Sequence, residues 1–378
     1  MEKSNNKKLI YIVNYVYASD VQHFVHIIEL VRTLETQCGW EVTLVSEKGG
    51  DGVKVVNGKE VNYLSRNGKF SRLLKLLFLL AKLRLKGYRL VFVRISKPAA
   101  IISALAGKIL GMRVLYWQST ANYDLDRRKP IARRMLDDIA ITFIKIAVDR
   151  FVTGPEFMLR YYEENYNIPK SKLLLLYNDI DLKRFAPNNN RNRSADIIKI
   201  IFVHSLSPSK NAVLYLPAII DRLNQLADKG KKIELEMIGD GPQRNQIADQ
   251  VKAARGTFKI QMLGAVANVD LPKYLADAHI FIMPSYREGM PRALMEAMAM
   301  SLPAVATDAG GTRDIVGKRQ LECIVPRDDP EAFAQRLVEL VCDPVARLQI
   351  GEENLIHVQR YSTPVVADMY ARELGNLL

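Results

Sequence analysis

Short apolar runs, often β-branched, alternate along the chain with longer stretches whose apolar positions recur every three or four residues. In the first half the runs KLIYIVNYV, EVTLVSE, RLVFVRI, RVLYWQS, RFVTG and KLLLLYND read as strands, with helices near 21–36, 70–86, 98–110, 130–148 and 155–166. The second half repeats the pattern. Strands fall at IKIIFVHS, IELEMIGD, FKIQMLG, IFIMPS, PAVATD and CIVP, and helices near 211–228, 243–254, 271–277, 291–300 and 330–341. Near-continuous apolar strands alternating with helices indicate parallel sheets covered on both faces. Two such sets predict two doubly wound α/β domains. The polar stretch KRFAPNNNRNRSADIIK separates them and places the boundary near residue 190. This gives an N-terminal domain over 1–190, a second over 191–360, and a C-terminal helix in 361–378 that packs back on the first.

A length of 378 residues suits two domains, and 48% hydrophobic residues suffice for ordinary cores. Three scattered cysteines, Cys38, Cys323 and Cys342, form neither a CxxC pair nor an even framework, which fits a reducing cytoplasm. No secretory leader is expected, and Lys or Arg interrupts each apolar stretch well short of the ~20 residues that cross a bilayer. Charge changes the picture more. Residues 1–190 hold 31 Lys/Arg against 18 Asp/Glu, whereas residues 191–378 hold 23 of each, so the whole excess of +13 lies in the first half. An anionic partner is expected there.

The segment SYREGMPRALMEAMAMSLPAVATDAGG carries Glu288 and Glu296 eight positions apart across a helix start. Pro291 suits a first helical turn, and the free N–H groups there form an anion site that the backbone of Gly289 and Met290 extends. Glu296 lies about 7–8 Å farther along the axis at ~1.5 Å per residue. Carboxylates accept well from sugar hydroxyls and bind phosphate poorly. Two acids bracketing an anion site therefore suggest a nucleoside-diphosphate sugar. Other strand-to-helix loops agree: IGDGPQRNQI with Gly239 and Gly241, HSLSPSKNAV with Lys210, and TDAGGTRDIV with Gly310 and Gly311. A Gly pair after a strand is often only a turn, but four such loops in one domain point together to a phosphate-bearing ligand.

Residues 200–316 resemble the donor domain of the retaining GT-B glycosyltransferases of family 4 (glycosyl transferases group 1). The resemblance rests on the E-x7-E element EGMPRALME followed by AMAMSLPAVATDAGGTRDIV, preceded by the Lys-bearing loop, IGDGP, QMLG and LADAHIFIMPS. AVDRFVTGPEFM and LLYNDIDLKRF resemble more loosely the segments that close the acceptor domain. The resemblance implies a GT-B architecture, two Rossmann-like domains facing a central cleft. It implies that Glu288 holds the donor sugar and Glu296 the ribose hydroxyls, with Gly289, Met290 and Pro291 lining the sugar and phosphate site. Lys210 would sit on the diphosphate, and Leu263 and Gly264 would hold the base. The implied activity is transfer of a hexose, with retention, from a UDP- or GDP-sugar to a lipid-linked or surface-glycan hydroxyl, without metal or other cofactor.

Three positions depart from the pattern. Ser205 stands where the family commonly has an Arg five residues before the Lys, leaving Arg287 or Arg292 to compensate. Gln118 stands where a first-domain His is common. Asn178-Asp179 replaces the usual Asn-Gly. Two other readings use the same residues: a sugar-nucleotide epimerase or hydrolase on this scaffold, and a nucleotide-binding or scaffold relative without turnover. The pairs Asp124/Asp126 and Asp179/Asp181 read more simply as loop residues than as metal ligands. The five histidines show no ligand spacing apart from His23/His26, and His23 is an acceptor-side candidate with Gln118. KFSRLLKLLFLLAKLRLKGYR is either a core-packed helix with a basic solvated face or a surface lying on anionic lipid, with DRRKPIARRM adding to it. The latter would place the protein peripherally on the inner face of the cytoplasmic membrane. Nucleic acid is disfavoured as the anion because aromatics are not interleaved with the basic residues.

Overall fold

The computed structural model describes residues 7–15, 25–64, 68–118, 131–187, 196–254 and 256–378. It divides into two compact units, Met1–Asp179 with Thr363–Leu378, and Ile180–Ser362. The division falls about ten residues before the Asn-rich stretch that the sequence marks. The reason is local. Ile180 pairs with Ser362 and donates its N–H to the Tyr361 carbonyl, and Phe185 is buried, so the segment after Asp179 already packs in the second unit.

Unit 1 contains β1 Lys8–Tyr15, α1 Val25–Thr36, β2 Glu41–Lys48, β3 Gly52–Val56, β4 Lys59–Tyr63 and α2 Lys69–Leu85. It continues with β5 Leu90–Arg94, α3 Lys97–Leu110, β6 Arg113–Trp117, α4 Ile131–Ala147, β7 Arg150–Thr153, α5 Glu156–Tyr166 and β8 Leu173–Leu175. The sheet order is β3-β4-β2-β1-β5-β6-β7-β8. Central β5 is buried along its whole length, as a strand covered on both faces must be. One face packs against α1; the other carries α2 to α5. The expected all-parallel sheet has one exception, the antiparallel β3–β4 hairpin. Its turn is Asn57-Gly58, both at positive φ (48° and 74°), the preference of a two-residue hairpin loop.

Unit 2 contains β9 Ile197–Val203, α6 Ala212–Asp228, β10 Lys232–Ile238, α7 Arg244–Ala253, β11 Lys259–Gly264, α8 Leu271–Asp277, β12 Ile280–Met283 and α9 Arg292–Ala299. It ends with β13 Ala304–Thr307, α10 Lys318–Leu321, β14 Ile324–Val325, α11 Pro330–Cys342 and α12 Pro344–His357. The sequence pattern does not reveal α12, whose start Asp343 caps by accepting the Ala346 N–H at 2.8 Å. All strand pairs are parallel, in the order β11-β10-β9-β12-β13-β14. The chain thus winds outward from β9 to β11, then returns to start β12 on the other side of β9. That reversal opens a crevice at the carboxyl ends of β9 and β12, where open α/β sheets take their ligands.

The chain returns to unit 1 as α13 Thr363–Gly375, which packs on α1 and buries Val366, Ala367, Tyr370 and Leu374 in its core. Asn178 and Asp179 are buried at this junction. Asn178 accepts from the Arg94 guanidinium, and Asp179 accepts from the Thr363 hydroxyl at 2.8 Å. Asp181 Oδ1 accepts the N–H groups of Lys183 and Arg184, at 3.0 and 3.2 Å. These contacts account for both acids of this D-x-D pair. Asp124/Asp126 lie outside the described residues. Among those described, no group of three or more His, Cys, Asp or Glu side chains is placed to hold a metal ion.

Candidate functional site

The acids of the E-x7-E element sit where the strand order reverses. Four buried residues form β12, and the chain then turns through Ser285 and Tyr286 to Glu288. The N–H groups of Tyr286 and Arg287 donate to the Ser209 carbonyl at 3.0 and 3.2 Å, stapling this loop to the one after β9. Pro291 is the N-cap of α9, one position earlier than a first-turn residue; its extended backbone (φ −72°, ψ 106°) starts the helix by offering its carbonyl to Met295 N–H. Proline has no N–H to donate. The first N–H of the helix itself is therefore that of Arg292.

Glu288 does not cap that helix. It is 7% exposed, and its Oε1 lies 2.7 Å from Lys210 Nζ and 2.9 Å from His204 Nε2. Burial alone would raise its pKa. The Lys210 ammonium, and after it His204, outweigh that effect and hold the carboxyl well below its ordinary range. His204 Nδ1 accepts the Ser205 N–H at 3.2 Å, so in the neutral ring the proton sits on Nε2 and points at Glu288.

His204 is the residue that the motif reading misses. Its only signal in the sequence is its place at the carboxyl end of β9, one position before Ser205, where the usual Arg is absent. Ser205 itself is exposed, and its hydroxyl begins a chain, Ser205–Ser207–Ser209, with oxygens 3.2 and 3.1 Å apart. Lys210 closes the 3-10 turn Pro208–Lys210 before α6.

Glu296 is as buried as Glu288 but differently placed. α9 is an eight-residue helix packed by Leu294, Met295, Met298 and Ala299, and Glu296 is 5% exposed within it, not a solvated surface acid. Its Oε1 stands 3.7 Å from Arg292 Nη2, which engages Arg292 with this acid. Burial raises the Glu296 carboxyl above its ordinary value, and Arg292 and Arg184 offset only part of that. The two motif acids are thus pushed in opposite directions, one held ionised by two cationic or proton-donating partners and one made reluctant to ionise.

The glycines have a structural reason that their spacing alone does not show. A Cβ at Gly239 (φ +143°) would lie 1.8 Å from the His204 carbonyl oxygen, and one at Gly310 (φ +56°) 1.9 Å from that of Glu288. At Gly241 it would lie 2.4 Å from the Leu206 carbonyl oxygen. These glycines let neighbouring strand-end loops touch backbone to backbone around His204 and Glu288. Gly239 N–H donates to Gly264 O at 2.7 Å and Gly311 N–H to Gly289 O at 3.1 Å. Leu263 is partly exposed, Gly264 and Met290 are buried, and Gly289 is half-buried.

Gln118 lies at the end of β6 in unit 1, where its Oε1 accepts from the Tyr116 hydroxyl at 2.8 Å. His23 lies outside the described residues. A cavity of about 440 Å³ between α4 and α5, lined by Asp138, Lys145, Tyr161 and Asn165, contains none of the motif residues.

Known proteins share parts of this chain's sequence and its fold. Residues 198–343, which hold the whole cluster, match the family model described as Glycosyl transferases group 1. WcaL of Escherichia coli K12, a glycosyltransferase named for colanic acid biosynthesis, is 29% identical over 175 residues, 45% of this chain. That match spans 42% of the relative's length. Sucrose-phosphate synthase from Thermosynechococcus elongatus superposes with a TM-score of 0.76 at 17% identity, covering 98% of this chain and 99% of that one. Anabaena HepE in complex with UDP-glucose superposes at 0.73 and 15% identity, with coverages of 98% and 99%. The chain has the two-domain α/β fold of the GT-B glycosyltransferases.

Proposed function

We propose that this protein is a retaining glycosyltransferase that moves a hexose from a nucleoside-diphosphate sugar, UDP- or GDP-linked, to a hydroxyl of a lipid-linked or cell-surface glycan. The carrying observation is the Lys210–Glu288–His204 cluster at the crevice between β9 and β12, with Glu296 buried in the second turn of the following helix. The match to the group 1 glycosyl transferases supports the activity, and the relative named for colanic acid biosynthesis supports the acceptor class.

Each residue then has a role. Glu288 stays ionised and accepts from hydroxyls of the donor sugar. Lys210 exchanges part of its pairing with Glu288 for the diphosphate, and His204 keeps Glu288 oriented while it does so. This gives His204 work that the missing Arg at Ser205 leaves undone. Arg292 and the N-terminal end of α9 face the anion, and Glu296 accepts from the ribose hydroxyls. In the reaction the bond from the anomeric carbon to the leaving phosphate oxygen breaks. The acceptor oxygen bonds that carbon from the same face, and its proton passes to the departing phosphate. Lys210 stabilises the charge on the leaving group, the work a metal performs in other transferases.

The test is thermal unfolding with UDP, GDP, ADP and their common sugars in the presence of EDTA, followed by an acceptor screen with the donor that binds. Ligand at ~100 times its dissociation constant stabilises by about 2.7 kcal/mol. A shift with one nucleotide that Glu296→Ala abolishes supports the assignment and names the base. No shift with any of them refutes the donor site and favours a scaffold protein; consumption of donor without transfer favours a hydrolase or epimerase.

A further inference from the structure

We propose that the groove between α4 and α5 in unit 1 is a binding site for a neutral oligosaccharide. Helix α4 buries Ile141 and Ile144 in the core of the unit. A helix on a sheet ordinarily turns its polar residues to the solvent, away from its neighbours. In α4 much of the solvent side is apolar instead: Ile131, Met135, Ile139 and Ile146 are each more than half exposed. Its polar residues Asp138, Thr142 and Lys145, spaced four and three apart, form a stripe on the side that meets α5. A polar stripe set against the ordinary pattern marks a place where function has overruled packing.

Helix α5 sets aromatic rings opposite that stripe. Tyr161 stacks on Phe157 with ring centroids 6.2 Å apart, meets Tyr162 edge-on at 5.6 Å and lies 6.0 Å from Tyr166. Tyr162 is buried and anchors the cluster, while Tyr161 and Tyr166 stay partly exposed on the groove wall. Lys145 Nζ donates to the Tyr166 carbonyl at 2.8 Å and ties the two helices together. Asn165, also on the wall, donates to the Tyr161 carbonyl at 3.0 Å. The walls are therefore fixed before any ligand arrives, which lowers the cost of binding one. The groove holds about 440 Å³, within the ~300–1,000 Å³ of small-molecule sites.

The chemistry of the walls selects the occupant. They carry one carboxylate, Asp138, and one ammonium, Lys145, and so no net charge, in the half of the chain that holds the whole excess of +13. An anionic ligand would find better partners on the basic surface around the groove than inside it. Ile141 is the one aliphatic side chain of the lining and it is buried, so a hydrocarbon chain or an apolar peptide has no complement there. The walls suit a neutral amphipathic molecule. Its hydroxyls would meet the Asp138 carboxylate, the Thr142 hydroxyl and the Asn165 amide, and its C–H faces the two tyrosine rings. A saccharide has both. A smaller cavity shares Asp138, Ile141 and Tyr166 with the groove and continues it to Lys97 and Gln118, beyond the carboxyl ends of β5 and β6. That path suits a chain of sugars better than a single one. Which chain enters rests on the transferase reading: it is the part of the acceptor glycan remote from the reacting hydroxyl.

The experiment is calorimetric titration of the full chain, without nucleotide, with the neutral hexaoses of glucose, galactose, mannose and N-acetylglucosamine. At least one should bind with a dissociation constant of about 1 mM or below. The affinity should be insensitive to salt, because the ligand is uncharged. Asp138→Asn should weaken binding by about tenfold. Thr142→Arg, whose side chain would lie against Asp138 one turn away and plug the groove, should abolish it. Both positions are exposed, so circular dichroism and melting temperature should stay at wild-type values, which separates lost binding from lost folding. Three results overturn the proposal: no binding of any of these hexaoses, binding that Thr142→Arg leaves intact, or binding that salt abolishes. A hexaose that binds a protein whose melting temperature no nucleotide shifts would keep this site and refute the transferase reading, so the two fail separately.

Discussion

Replacing Glu288 by Gln tests the central cluster with little change of shape. The amide keeps an oxygen for His204 Nε2 to donate to, so the substitution chiefly removes the charge that faces Lys210. At 2.7 Å and an effective dielectric near 20, that attraction is about 6 kcal/mol by Coulomb's law. Much of it offsets the cost of taking Glu288 out of water, a cost the neutral amide avoids. What survives is the penalty of a Lys210 ammonium left 16% exposed opposite an amide, about 2–3 kcal/mol because its tip still reaches some solvent. For a unit of this size that lowers the melting temperature by roughly 5–10 °C at pH 7. The pH dependence follows from the sign of the shift. Glu288 is held below its unfolded value of 4.5, so its contribution is complete above that pH and drains away as pH falls toward the folded value. Wild type and variant should therefore converge as unfolding is followed by urea titration from pH 7 to pH 3.5. Lys210→Met placed on top of Glu288→Gln should recover part of the loss, a coupling of about 2 kcal/mol in a double-mutant cycle. A variant within 0.5 kcal/mol of wild type at pH 7, or a gap that stays constant down to pH 3.5, would refute the ion-pair account.

Glu296 should behave in the opposite way. Burial raises its carboxyl, so at pH 7 the folded protein carries a charge it disfavours, and Glu296→Gln should melt at or above the wild-type temperature while losing the nucleotide-induced shift. Clear destabilisation, or a retained shift, would count against both its environment and its role. Gly310→Ala should cost more than about 3 kcal/mol, since strain at φ +56° adds to a Cβ 1.9 Å from the Glu288 carbonyl oxygen. A denaturation midpoint close to that of wild type would show that this loop has room to move.

The sequence exposes this protein unevenly, and the reason is physical. Parallel strands buried on both faces must be apolar throughout, so twelve of the fourteen strands among the described residues stand out as runs; β3 and β4, at an open edge with exposed positions, carry no such signature beyond their Asn-Gly turn. Helix α12 escapes notice because its apolar residues do not repeat cleanly, and its start depends on a cap. The site is legible wherever a residue type constrains the backbone. Gly239 and Gly310 cannot carry a side chain, and Pro291 marks a helix start to within one residue. Partnership is harder to read, because it is set by strand order. Residues 204 and 288 lie 84 positions apart, and nothing near either announces the other. They meet because β12 returns to the flank of β9, a consequence of topology that periodicity does not encode. The same holds for the groove of unit 1. Periodicity shows that α4 has apolar residues at helical spacing, but only the packed layer shows which of its sides the core uses and which lines the groove with α5. In both places the residues that sequence reading assigns least well are those whose function depends on a neighbour brought from far along the chain.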